Sequence, residues 1–217
     1  MIDVEHQISA VSRQVGSRTL DAGEARVVTV SQTYGADVED VWDACTNADR
    51  IPRWFLPVTG ELKEGGRYAL EGNASGTIDT CDPPHGFTAT WEFGGEVSWI
   101  ELRLAEVGGG RTELRLDHVA HVDDTRWMQF GPGAVGVGWD LALTGLATHL
   151  GSGGAAVDRD EAEAWAMSDE GRAFMTRSSG AWRDASVAAG TDPDQATASA
   201  ERTTAFYTGQ DGPETST

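Results

Sequence analysis

Gly133-Ala-Val-Gly-Val-Gly-Trp139-Asp-Leu-Ala-Leu143-Thr-Gly-Leu146-Ala-Thr-His-Leu150 is the stretch whose reading decides the architecture of this chain. Val135, Trp139, Leu143, Leu146 and Leu150 recur at helical spacing and form one apolar stripe. No polar residue interrupts the stripe, so it must lie on an apolar surface. The segment just before it supplies one. Phe87, Ala89, Trp91 and Phe93 alternate with Thr88, Thr90 and Glu92, which predicts a half-buried strand with an aromatic inner face. Ile100, Leu102 and Leu104 alternate within Val97–Val107, and Leu114, Leu116, His118 and Ala120 alternate within Thr112–His121. A Gly108-Gly109-Gly110 turn joins those two strands. Short strands separated by glycine turns predict an antiparallel meander. A curved sheet closed by one long helix can enclose a cavity for an apolar small molecule.

Upstream, Arg26–Tyr34 is rich in β-branched residues and reads as a strand. Asp37 caps a helix whose Val38, Val41, Trp42 and Cys45 share a face. Thr46 opens a further helical turn that Pro52 ends, and Arg53-Trp54-Phe55-Leu56-Pro57-Val58 is an aromatic cluster. Gly66–Glu71 and Ala74–Cys81 form a hairpin around Gly72-Asn73. In residues 1–24, taken as an N-terminal leader, Val4, Ile8, Val11 and Val15 have helix-like spacing behind an Asp3 cap, and Gly16–Gly23 reads as a loop. The main domain is expected over 25–152. Gly151-Ser152-Gly153-Gly154 is a flexible break. A helical extension follows over 153–208, with segments from Arg159, from a Ser168 cap and from an Asp192-Pro193 start. Residues 209–217 read as a disordered tail.

The wording of residues 25–150 resembles the START-like superfamily, also called Bet v-like or SRPBCC. It is similar above all to the bacterial branch named after the activator of the heat-shock-protein-90 ATPase. Four phrases carry the resemblance: Val38-Glu-Asp-Val-Trp42-Asp-Ala-Cys-Thr46, Ile51-Pro-Arg-Trp54-Phe55, Gly65-Gly-Arg-Tyr68, and Gly131-Pro-Gly133 leading into Gly138-Trp139. The resemblance implies an α+β helix-grip fold, in which a curved antiparallel sheet wraps a long C-terminal helix, with the helical extension as an addition.

Composition narrows the partners. A net charge of −19 over 217 residues repels phosphate backbones and anionic lipid heads, which argues against nucleic acid and membrane surfaces. No apolar run is long enough to span a bilayer and no signal-peptide pattern opens the chain, so the expected location is the cytoplasm. Cys45 and Cys81 fall in no metal-ligand pattern and read as structural thiols. No cofactor motif is present. His118 and His121 stand three apart on a strand and point to opposite faces, so no metal site is expected.

The expected ligand wall comprises Trp54, Tyr68, Trp91, His118, Phe130 and Trp139. The chain's other tryptophans, and each of these singly, fit an ordinary core as well. Arg67 and Arg103 could meet an anionic group or lie solvated; Glu161 and Glu163 belong to a solvated helix face. No catalytic set is legible; His118 and Asp140 are the candidates for acid–base work. The expected function is binding of a hydrophobic or amphipathic small molecule. The alternatives are a cyclase, aromatase or hydrolase on the same scaffold, and a chaperone-associated interaction module. The aromatic residues of the extension require it to dock, either on its own domain or on a second copy as a homodimer.

Overall fold

The computed structural model describes residues 3–210. One antiparallel sheet of eight strands forms its frame, in the order β1-β2-β8-β7-β6-β5-β4-β3. In chain order these are β1 (Val11–Leu20), β2 (Gly23–Tyr34), β3 (Val58–Gly60), β4 (Arg67–Leu70), β5 (Ser75–Asp82), β6 (Gly86–Phe93), β7 (Glu96–Glu106) and β8 (Thr112–Ala120). The helices are α1 (Val4–Ala10), α2 (Val38–Thr46), α3 (Asp124–Phe130), α4 (Gly133–Gly151), α5 (Arg159–Met167), α6 (Asp169–Ala188) and α7 (Pro193–Tyr207). The meander from β3 to β8 runs through tight turns. β2 crosses to pair with β8, placing Val28 opposite His118 and Val30 opposite Leu116. This is an α+β helix-grip architecture.

Two local expectations are corrected. Asp3 does cap a helix, its side chain accepting from the His6 amide, but α1 ends at Ala10. Residues 11–20, read as helix and loop, form β1 and pair with β2 along their length, Val11 opposite Gln32 and Leu20 opposite Gly23. A spacing of four fits a strand face as well as a helix face, so Val11 and Val15 did not discriminate between the two periods. Pro52, expected to end a turn of helix, instead sits inside a 3₁₀ turn over Ile51–Arg53. Proline is tolerated there because the first turn demands no amide hydrogen bond.

α4 carries more than one buried face. Leu143, Leu146 and Trp139 look toward the sheet, while Gly136, Asp140 and Thr144 are buried on an adjoining side against α6. Val135, in the first turn, is 38% exposed and lies outside the expected stripe. An α-helix with a single charged residue and no lysine, arginine or glutamate has no solvated face, and burial between two layers is what such a sequence requires. Gly136 makes the second contact possible: a Cβ there would stand 2.2 Å from the Trp182 ring.

The extension docks on its own domain. α6 packs on α4, β1 and α1, and α7 packs on α6 and α3. Ser168 caps α6 through the Gly171 amide, and Asp192 caps α7 through the amides of Asp194 and Gln195. Phe174 and Trp182 are fully buried, and Met175 and Trp182 join Val11, Val28 and Leu143 in the main core. The expected tail from residue 211 onward lies outside the described residues.

Candidate functional site

Between the sheet and α4 lies a cavity of about 300 Å³. Alternation along the strands builds its floor: Tyr68 from β4, Ile78 from β5, Ala89 and Trp91 from β6, Ile100 from β7 and Leu116 from β8. Trp139, Ala142, Leu143 and Leu146 from α4 form the roof. Trp42, Cys45, Ile51, Trp54 and Phe55 close one side from α2 and the 3₁₀ turn. Phe93, predicted on the inner face of β6, is 58% exposed at the hairpin end of the strand.

The helical rim is tied down by polar contacts outside the cavity. The Trp54 indole donates to the Ala44 carbonyl at 2.9 Å, fastening the turn to α2. Gly145 lets α4 rest on that turn, since a Cβ there would stand 2.3 Å from the Trp54 carbonyl oxygen. Arg50 forms ion pairs with Asp40 at 2.7 Å and Asp43 at 3.0 Å. Its Nε also donates to Nε2 of His149 near the C-terminus of α4, at 3.3 Å. His149 Nδ1 then donates to the Ala155 carbonyl at 2.8 Å.

Of the expected wall residues, Trp54, Tyr68, Trp91 and Trp139 border the cavity. His118 and Phe130 do not. Phe130 ends α3 and meets Phe206 of α7 edge to face at 6.2 Å. His118 lies on the predicted strand face but behind the aromatic wall. Its Nδ1 accepts from the Trp139 indole at 3.0 Å, and its Nε2 lies 2.8 Å from Ser98 Oγ. An indole only donates, so the imidazole proton sits on Nε2 and points at Ser98. The Ser98 hydroxyl donates onward to the Trp91 carbonyl at 3.1 Å. This chain holds Trp139 and Trp91 at a ring separation of 5.1 Å. Both imidazole nitrogens are thereby bonded within the frame, and His118 does not border the cavity. His121 faces the other way, its Nδ1 bonded to the Glu24 carbonyl at 3.1 Å.

Asp140, the other acid–base candidate, is fully buried on the α6 side of α4. Its Oδ2 accepts from Arg13 Nε at 2.9 Å, Trp182 Nε1 at 3.2 Å and the Ser178 hydroxyl. Burial pushes its carboxyl up from the usual range, and Arg13, Ser178 and Trp182 oppose that shift. Arg67 pairs with Glu92 at 3.0 Å and Arg103 with Glu101 at 2.8 Å, both exposed and away from the cavity. Glu161 and Glu163 are exposed on α5. Among the described residues, no group of three or more His, Cys, Asp or Glu side chains is placed to hold a metal.

Sequence reading missed Cys45 and Cys81, which both border the cavity as free thiols. Burial pushes the Cys45 thiol up to about 12, and burial with Glu64 and Asp82 nearby also raises Cys81. Both therefore remain neutral thiols.

Burial lowers the His118 pKa to about 4, against 6.5 for the free side chain. Between those values the unfolded chain binds a proton that the folded chain refuses, so stability falls as pH drops through this window. The loss from this group should approach about 3 kcal/mol at its lower end. His118→Asn keeps an acceptor for Trp139 without the titration. Urea denaturation at pH 7 and pH 4.5 should show a larger loss for the parent than for the variant; equal losses would remove His118 as the cause.

Residues 35–151 match the family described as Activator of Hsp90 ATPase homolog 1-like protein. The chain belongs to this family. The crystal structure of CalU16 from Micromonospora echinospora is 37% identical, with a TM-score of 0.65 over 81% of this chain and 98% of that one. Its solution structure gives 38% identity and a TM-score of 0.69 over 83% of this chain and 97% of that one. These matches extend beyond the 35–151 segment. DynU16, a protein in the dynemicin biosynthetic locus, shares the fold at 21% identity, with a TM-score of 0.53 over 59% of this chain and 48% of its own. No curated relative matches the chain. Among the described residues no helix is long and apolar enough to cross a membrane.

Proposed function

We propose that the protein binds a hydrophobic or amphipathic small molecule in the cavity between the sheet and α4. The observation that carries this reading is the cavity itself, about 300 Å³ walled mostly by carbon from six strands and two helices. That volume lies at the lower end of small-molecule sites. Membership of a helix-grip family supports the reading, as does the spending of both acid–base candidates elsewhere, His118 on Trp139 and Ser98, Asp140 on Arg13. Two free cysteines fit a reducing cytoplasm as its place of work.

Ala142→Phe tests the reading by filling the cavity from the roof. The neutral fluorophore N-phenyl-1-naphthylamine should bind the parent and quench its tryptophan emission. The variant should bind it at least about a hundredfold more weakly, a loss of roughly 2.7 kcal/mol. Its stability should stay within about 1–3 kcal/mol of the parent's, the usual cost of overpacking. Unchanged probe affinity in a folded variant would put the binding somewhere else.

A further inference from the structure

The wall of this cavity contains no charged side chain and no imidazole. Its polar side chains have turned their polar ends into the frame. The Tyr68 hydroxyl donates to the Thr90 carbonyl at 2.7 Å, and the Thr46 hydroxyl to the Trp42 carbonyl at 2.7 Å. The indoles of Trp54 and Trp139 donate to Ala44 and His118. What these residues present to the interior is ring face and aliphatic carbon. Among the described residues, the indole N–H groups of Trp42 and Trp91 are the only side-chain nitrogen donors of the wall without an intramolecular partner. The thiols of Cys45 and Cys81 add polarizable but neutral surface.

We infer that the cavity selects neutral, flat, ring-rich molecules and rejects ligands that carry a formal charge of either sign into it. This rests on the reading that the cavity is a ligand site. The reason is desolvation. A carboxylate or ammonium brought inside gives up its water and finds no counter-charge and no convergent donors or acceptors in exchange. A net charge of −19 adds a further penalty for anions approaching from solution. Four indoles in one wall are the composition of a cation cage. Yet Trp91 and Trp139 are inclined to one another at 56° with centroids 5.1 Å apart, so they pack together and leave no slot between their faces. A neutral polycycle needs nothing from the wall except area, and the aromatic rings of Trp42, Trp54, Phe55 and Phe87 supply it. A carbonyl or ether oxygen on its edge could still accept from one of the two uncommitted indoles.

Three pyrene probes that differ only in their substituent separate the outcomes: 1-pyrenemethanol, 1-pyrenecarboxylate and 1-pyrenemethylammonium. Each is titrated at pH 8 against the full-length protein and against Ala142→Phe, with tryptophan quenching and pyrene emission as readouts. The alcohol should bind at least tenfold more tightly than either ion, and Ala142→Phe should abolish its binding. A carboxylate or an ammonium that matches or exceeds the alcohol, and is lost in Ala142→Phe, overturns charge exclusion while leaving the cavity as the ligand site. Failure of all three probes, or binding that Ala142→Phe leaves intact, overturns the cavity reading itself and the selectivity with it.

Discussion

Replacing Asp140 by alanine is expected to cost about 3–5 kcal/mol of folding stability, the range seen when one partner of a buried ion pair is removed. Asp140 is fully buried, and the Arg13 side chain is only 6% exposed. Arg13 Nη1 would keep its bonds to the Ile8 and Val11 carbonyls, but its charge would lose the one counter-ion it has among the described residues. The Ser178 hydroxyl and the Trp182 indole would lose an acceptor in the same step. Most of the loss comes from stranding buried groups rather than from the worth of the pair. The double variant Arg13→Met, Asp140→Leu should therefore recover a large part of it. Urea denaturation of the three variants checks this, and a loss below about 1 kcal/mol for Asp140→Ala would show that the pair is not sequestered. Probe affinity of the folded fraction should stay at the parent's value, because Asp140 faces away from the cavity. A residue working on a bound ligand would behave in the opposite way.

That orientation was not read from the sequence, which left Asp140 among the acid–base candidates. The step of about 100° between successive helical residues turns Asp140 partly away from Trp139 but does not exclude it from the same face, since the adjacent Ala142 and Leu143 both reach the cavity. The contacts with Arg13, Ser178 and Trp182 are what place it on the other side. The strands were readable because alternation has one interpretation when it persists over β6, β7 and β8. His118 shows where alternation stops. It assigns the face shared with Leu114 and Leu116, but not whether side chains from other elements stand in front. Trp91 of β6 and Trp139 of α4 do so, and that contact depends on the sheet's curvature. β1 was illegible for a different reason: its two valines sit four apart, a distance compatible with both periods. Phe130 carried no periodic signal, and only the arrival of α7 decides what it touches. Cys45 was placed correctly on the apolar face of α2 with Val38 and Val41, yet nothing in a sequence separates a face that packs on core from one that borders empty space.

Truncation after Gly154 should abolish cooperative folding. α4 is largely apolar because it is buried between two layers, and removing α5, α6 and α7 strips one of them, leaving the sheet with α2 and the 3₁₀ turn as its cover. Gly136, Asp140 and Thr144 would face water, and Asp140 would lose Ser178 and Trp182 as partners. Phe174, Trp182 and Met175 would be lost with the extension. Burying each such side chain contributes about 1.5–3 kcal/mol, so three of them approach the whole margin of about 5–15 kcal/mol that keeps a domain folded. Trp182→Ala in the full chain isolates one part of this effect. It should cost about 3–5 kcal/mol through the cavity left against Gly136, yet leave a cooperative transition. Far-UV and near-UV circular dichroism through a thermal ramp distinguish the cases: the truncated chain should lack a near-UV transition, while Trp182→Ala should melt sharply at lower temperature. A truncated chain that melts cooperatively within a few degrees of the parent would mean that the extension only decorates the fold, and that the rest of the domain holds α4 without it.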